Sequence, residues 1–123
     1  MAKTSGSSAD TRTVTRRDPL VEITLHQANE KKYRSEYAKA IEIYDRVLEI
    51  DPKHARAFHS KGNVLDMLGR YEEAISCYDL ALTYDPNNAE TLYNKGVTLS
   101  KMRCQSEGIE CIEQGVSLAL GTQ

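Results

Sequence analysis

Cysteine is scarce: Cys77, Cys104 and Cys111 are odd in number and contain no CxxC, so neither a disulfide framework nor a cysteine-built zinc site is expected. His26, His54 and His59 show no HExxH or comparable ligand spacing, which removes the usual ground for a metal site. The chain also lacks GxSxG, a phosphate-cradling glycine loop, and a nucleophile beside a plausible base. An enzyme is therefore the weaker expectation, and no cofactor is called for. Neither sign of charge dominates, with 16 Lys and Arg against 18 Asp and Glu, so the chain as a whole carries no electrostatic footprint for nucleic acid. No apolar run approaches a membrane span, and the first residues lack the apolar core of a secretory leader. Cys77 and Cys111 read as small, half-buried residues in a reducing compartment, and a cytoplasmic location is the expectation.

What is present is helical periodicity. Phe58, Gly62, Leu65 and Leu68 fall on one stripe, and Tyr71, Ala74, Ile75, Tyr78, Ala81 and Leu82 on another. Gly69-Arg70 between them leaves room only for a tight helix-to-helix turn. The pattern recurs. Asp51-Pro52 and Asp85-Pro86 lie 34 residues apart (86 minus 52). Leu92, Gly96, Leu99 and Met102 repeat the first stripe; Tyr37, Ala40, Ile41, Tyr44, Val47 and Leu48 repeat the second upstream. Downstream the second stripe returns as Gln105, Gly108, Ile109, Ile112, Gly115 and Val116. Self-similarity at this period means stacked helix pairs.

The spacing predicts helices from Pro19 to about Arg34, Tyr37 to Ile50, Ala55 to Leu68, Tyr71 to Tyr84, Ala89 to Met102, and Gln105 to about Ala119. Asp18-Pro19 supplies an N-cap followed by proline at the first helical position. Residues 1–17, rich in Ser, Thr and Arg, cannot repay the entropy of ordering and are expected to form a flexible tail. The first copy is degenerate, with Thr24 in place of Phe58 and Lys31 in place of Leu65. The last departs at its turn, where Arg103 replaces Gly69, and carries Gly108 and Gly115 within a helix. Each such glycine costs up to about 1 kcal/mol against alanine, which makes this helix the expected loosest part. No further sequence follows to shield it, so Ile109, Val116, Leu118 and Leu120 are expected to be partly exposed.

Gly62, Leu65, Tyr71, Ala74, Tyr78, Ala81 and Pro86 together resemble the tetratricopeptide repeat, a unit of about 34 residues with small residues where its two helices cross. The resemblance covers roughly Val21 to Leu118. It implies an all-α fold: an α-solenoid of three helix-turn-helix repeats (about 19–52, 55–88 and 89–120, within a domain spanning 18–120) forming a right-handed superhelical stack. Small residues at Gly62, Gly96, Ala40, Ala74 and Gly108 then let backbones approach while an aromatic fills the adjoining hole.

The resemblance further implies a concave groove, lined by the first (A) helix of each pair, that accepts a peptide or helix of another protein. The A-helix face opposite the core stripe places there Asn29 and Tyr33; Arg56, His59, Ser60, Asn63, Asp66 and Met67; and Glu90, Tyr93, Asn94, Val97 and Lys101. The amides of Asn29, Asn63 and Asn94 offer both a donor and an acceptor to a peptide backbone. A subset of the family holds a C-terminal carboxylate with a clamp of Lys, Asn, Asn, Lys and Arg. This chain keeps Asn29 but has Leu25, Ser60, Glu90 and Asn94 elsewhere, without the cationic end a desolvated carboxylate needs. Two readings follow: an adaptor that binds a segment of another protein, or a self-assembly unit building homo-oligomers through its uncapped last helix or tail.

Overall fold

The computed structural model describes residues 18–121; the tail expectation for 1–17 lies outside them. Among the described residues six helices follow one another: α1 (Pro19–Tyr33), α2 (Tyr37–Ile50), α3 (Ala55–Met67), α4 (Tyr71–Tyr84), α5 (Ala89–Lys101) and α6 (Gln105–Leu120). No helix among the described residues is long and apolar enough to cross a membrane. Side chains close the N-termini of the A helices: Asp18 accepts from the Leu20 amide, His54 Nδ1 from that of Ala57, and Asn88 from that of Thr91. Each satisfies a donor that has no partner inside its helix.

The turns within repeats share one geometry. Ser35, Gly69 and Arg103 all adopt left-handed backbone, with φ of 61°, 78° and 69°. In each, the following amide reaches back to the last full turn, as Glu36 to Lys31, Arg70 to Leu65 and Cys104 to Leu99, a Schellman closure. Glycine reaches this region without penalty, whereas a side chain there costs roughly 1–2 kcal/mol. Arg103→Gly is thus expected to raise stability by about 1 kcal/mol, measured by urea unfolding, with Gly69→Ala moving the midpoint the other way.

Helices pack most closely as consecutive pairs, and each second helix then contacts the first helix of the next pair. The A helices α1, α3 and α5 also touch one another in order, while α2, α4 and α6 do not. The stack is therefore closed on the A side and splayed on the other. Tyr44 and Tyr78, both buried, sit at the centre of this thin core. A Cβ added to Gly62 would lie 2.8 Å from the Tyr78 ring, so the ring occupies the space that the missing side chain leaves. Lys61 and Lys95, one residue before the A-helix glycines, reach back to Asp45 and Asp79 of the preceding pair, each at 2.7 Å. The same ion pair thus recurs at both boundaries.

Ile109, Val116 and Leu120 are exposed as expected, and the glycines of the last pair have a packing role. A Cβ on Gly96 would stand 2.6 Å from the Gly108 carbonyl oxygen, and one on Gly115 would stand 2.8 Å from that of Ala89. The glycines are where α5 and α6 meet backbone to backbone. Their poor helix propensity is offset by a packing that no residue with a Cβ could reach, and α6 is the longest of the six helices, at 16 residues.

Candidate functional site

The polar residues on the A helices interlock. Tyr44 reaches across the first pair to donate its hydroxyl to Asn29 Oδ1, and Tyr78, 34 residues on (78 minus 44), donates to Asn63 Oδ1 at 2.6 Å. Asn63 Oδ1 also accepts from Asn94 Nδ2 of the next A helix at 3.2 Å. Burial pushes the Tyr44 phenol up to about 12 and that of Tyr78 higher still, so both remain protonated donors. In the third repeat the equivalents of Tyr78 and Asn63 are Ile112 and Val97. Donor and acceptor are replaced together, which leaves neither stranded.

His59 lies lower in the same seam. Sequence places it on the groove surface; the structure buries it between α3 and α5. Its Nε2 faces Asn94 Nδ2 at 3.2 Å, which fixes the proton of the neutral ring on Nδ1, 2.6 Å from Thr91 Oγ1. The Thr91 hydroxyl in turn donates to Asn88. Burial lowers the His59 pKa from its ordinary 6.5, with Glu90 opposing the shift and Lys32 adding to it. A lowered pKa means that the unfolded chain takes up this proton first. The contribution is present above pH 6.5 and is lost as pH falls through the folded value. Melting temperature is expected to drop between pH 7 and pH 5, and to drop less in His59→Gln.

Above the seam, Asp66 accepts from Thr98 Oγ1 at 2.7 Å and from Lys101 Nζ at 2.8 Å. Asn63, Asp66, Met67, Asn94 and Val97 then line one cleft of about 230 Å³ between α3 and α5, together with Tyr78 and Thr98. Tyr78 and Thr98 were not legible as groove residues. Tyr78 belongs to a B helix and reads as pure core, and Thr98 stands where the second repeat has the apolar Val64. Glu90 and Tyr93 are not part of this cleft. They line a separate cavity of about 340 Å³ with Ala89, Gly115, Val116 and Ala119, at the open end of the last pair. Tyr33, Arg56 and Met67 are exposed on the A side, and Asn29 and Ser60 are half-buried near Tyr44.

The seam leaves a specific remainder. Asn63 spends its carbonyl oxygen twice and Asn94 spends its amide nitrogen twice. Among the described residues the Asn63 amide nitrogen and the Asn94 carbonyl oxygen take no part in the network, one donor and one acceptor beside the apolar Met67 and Val97. Among the described residues no group of histidines, cysteines and carboxylates is arranged to hold a metal ion.

Family models described as TPR repeat and Tetratricopeptide repeat match residues 62–102, 43–76 and 28–54. No curated protein matches the chain. Among solved structures, the second TPR of Spaghetti (RPAP3), bound to HSP90 peptide SRMEEVD, superposes with a TM-score of 0.80 at 18% identity, over 86% of this chain and 98% of that one. The Sgt2 TPR domain from Aspergillus fumigatus gives 0.79 at 24% identity, over 82% of this chain and 67% of its own. MamA gives 0.78 at 17% identity over 82% of this chain, which spans only 59% of the MamA chain.

Proposed function

Since this chain is a tetratricopeptide-repeat protein, with matches to that family running from residue 28 to residue 102, we propose that it is a protein-interaction module. Its α3–α5 cleft takes up an extended segment of a partner. The unspent donor of Asn63 and acceptor of Asn94 carry this reading. An extended backbone presents a carbonyl and an N–H to any such pair, whatever its side chains. Met67 and Val97 flank the pair and supply apolar contact to the partner's side chains.

The segment is internal rather than a chain terminus. A terminal carboxylate would meet Leu25, which is buried in the core, with Ser60, Glu90 and Asn94 at the other clamp positions. Lys101 is already paired with Asp66.

Alanine replacement of Asn63 is a poor test, because it would strand the buried Tyr78 hydroxyl and damage the fold as well as the site. Met67 is exposed and free of that difficulty. Peptides selected from a display library against the intact chain should lose at least about tenfold in affinity, some 1.4 kcal/mol, on Met67→Asp. They should lose nothing on Ser76→Asp, on the exposed side of α4. Binding indifferent to Met67 and sensitive to Ser76 would place the site on the other face and overturn the proposal.

A further inference from the structure

Within this chain a helix pair is covered twice by the A helix that follows it, and both covering helices use the same three positions. Ala57, Lys61 and Val64 cover the first pair; Thr91, Lys95 and Thr98 cover the second. The outer members of each set are buried, and the lysine between them pairs with Asp45 or Asp79 of the covered pair. The pattern is a small or β-branched residue, a lysine four positions on, and a second small or β-branched residue three positions beyond.

Among the described residues nothing covers the receiving half of that interface on the third pair. Glu113 stands where Asp45 and Asp79 stand, and makes no ion pair among the described residues. Tyr93, at the position of the buried His59, is 47% exposed, and Val116 is 44% exposed. Both line the cavity of about 340 Å³ at this end.

A second copy of the chain fits the face badly. Its α1 would offer Ile23, Gln27 and Glu30 at the three covering positions. Glu30 would be buried in place of Val64, and Gln27 would leave Glu113 without a cation. The end of this pair also differs from the ends of the other two. Where α2 and α4 stop at Asp51-Pro52 and Asp85-Pro86, α6 continues through Ala119 and Leu120 to the left-handed Gly121.

We propose that the open face of α5 and α6 docks one amphipathic helix of another protein, carrying a small or β-branched residue, a lysine or arginine four positions on, and a small or β-branched residue three beyond. The cation pairs with Glu113; the first outer residue seats against Tyr93 beside Val116, as Thr91 seats against His59, and the second seats by Ser100, as Thr98 seats against Asp66. This surface is separate from the cleft proposed above and does not depend on it.

A fluorescent, hydrocarbon-stapled peptide copying residues 89–101 is the probe, titrated into the intact chain. Saturable binding is expected, weakened at least tenfold by Glu113→Lys and by a peptide whose lysine, corresponding to Lys95, is changed to glutamate. Combining the two changes should restore affinity. Met67→Asp should leave binding untouched, which separates this face from the cleft. Absence of binding, or losses that the charge exchange fails to restore, would overturn the proposal. So would a dimer in light scattering without peptide that Val116→Asp abolishes, since the face would then belong to a second copy.

Discussion

Tyr78→Ala is expected to lower stability by about 4 kcal/mol, a large share of the total of a domain of this size. The ring fills the hole over Gly62, and its removal leaves a cavity that α3 and α4 cannot close without breaking the seam to α5. Tyr78→Phe keeps the ring and strips only the hydroxyl, so its loss should be nearer 1–2 kcal/mol. The third repeat shows how to abolish the pair without stranding either member, through Ile112 and Val97. Tyr78→Phe combined with Asn63→Val should therefore cost less than the sum of the two single changes, by about 1 kcal/mol. Urea unfolding of the four proteins measures all of this. A loss below about 1 kcal/mol for Tyr78→Ala would contradict the burial of the ring.

Gly96→Ala is the second large effect. An alanine in a helix ordinarily gains about 1 kcal/mol over glycine, yet here its Cβ would fall 2.6 Å from both the Gly108 carbonyl oxygen and Ile112 Cγ1. Backbone cannot swing aside as a side chain can, so α5 and α6 must separate along their length. The net expectation is a loss of about 2–3 kcal/mol, seen as a lower thermal midpoint. A gain in stability would mean that the two helices do not approach closely.

Helix limits were legible to within a residue or two, because the elements that set them are local. Pro19 follows a capping Asp18, Gly69 occupies a left-handed turn, and the apolar stripe reports the face turned inward. The stripe says little about polar residues at its margin. His59 shares its position with Leu25 and Tyr93, three side chains of different chemistry. Which of them is buried depends on whether another helix follows, and periodicity does not report that. Gly108 and Gly115 read as weak points because propensity belongs to a single helix, whereas their benefit belongs to a pair. The asparagines read as ligand contacts, and half of their hydrogen-bonding capacity proves to be spent on tyrosine hydroxyls and on one another.

Contact between neighbouring A helices, with none between neighbouring B helices, has a mechanical corollary. Bending the rod further in the same sense compresses the His59–Thr91 and Asp66–Thr98 hydrogen bonds, which are already at contact distance, while straightening it stretches them. The inner edge therefore behaves as a stiff hinge line and the outer edge as the compliant one. A bound segment lying along that inner edge would act as a splint, resisting the straightening motion and leaving the outer helices free to breathe.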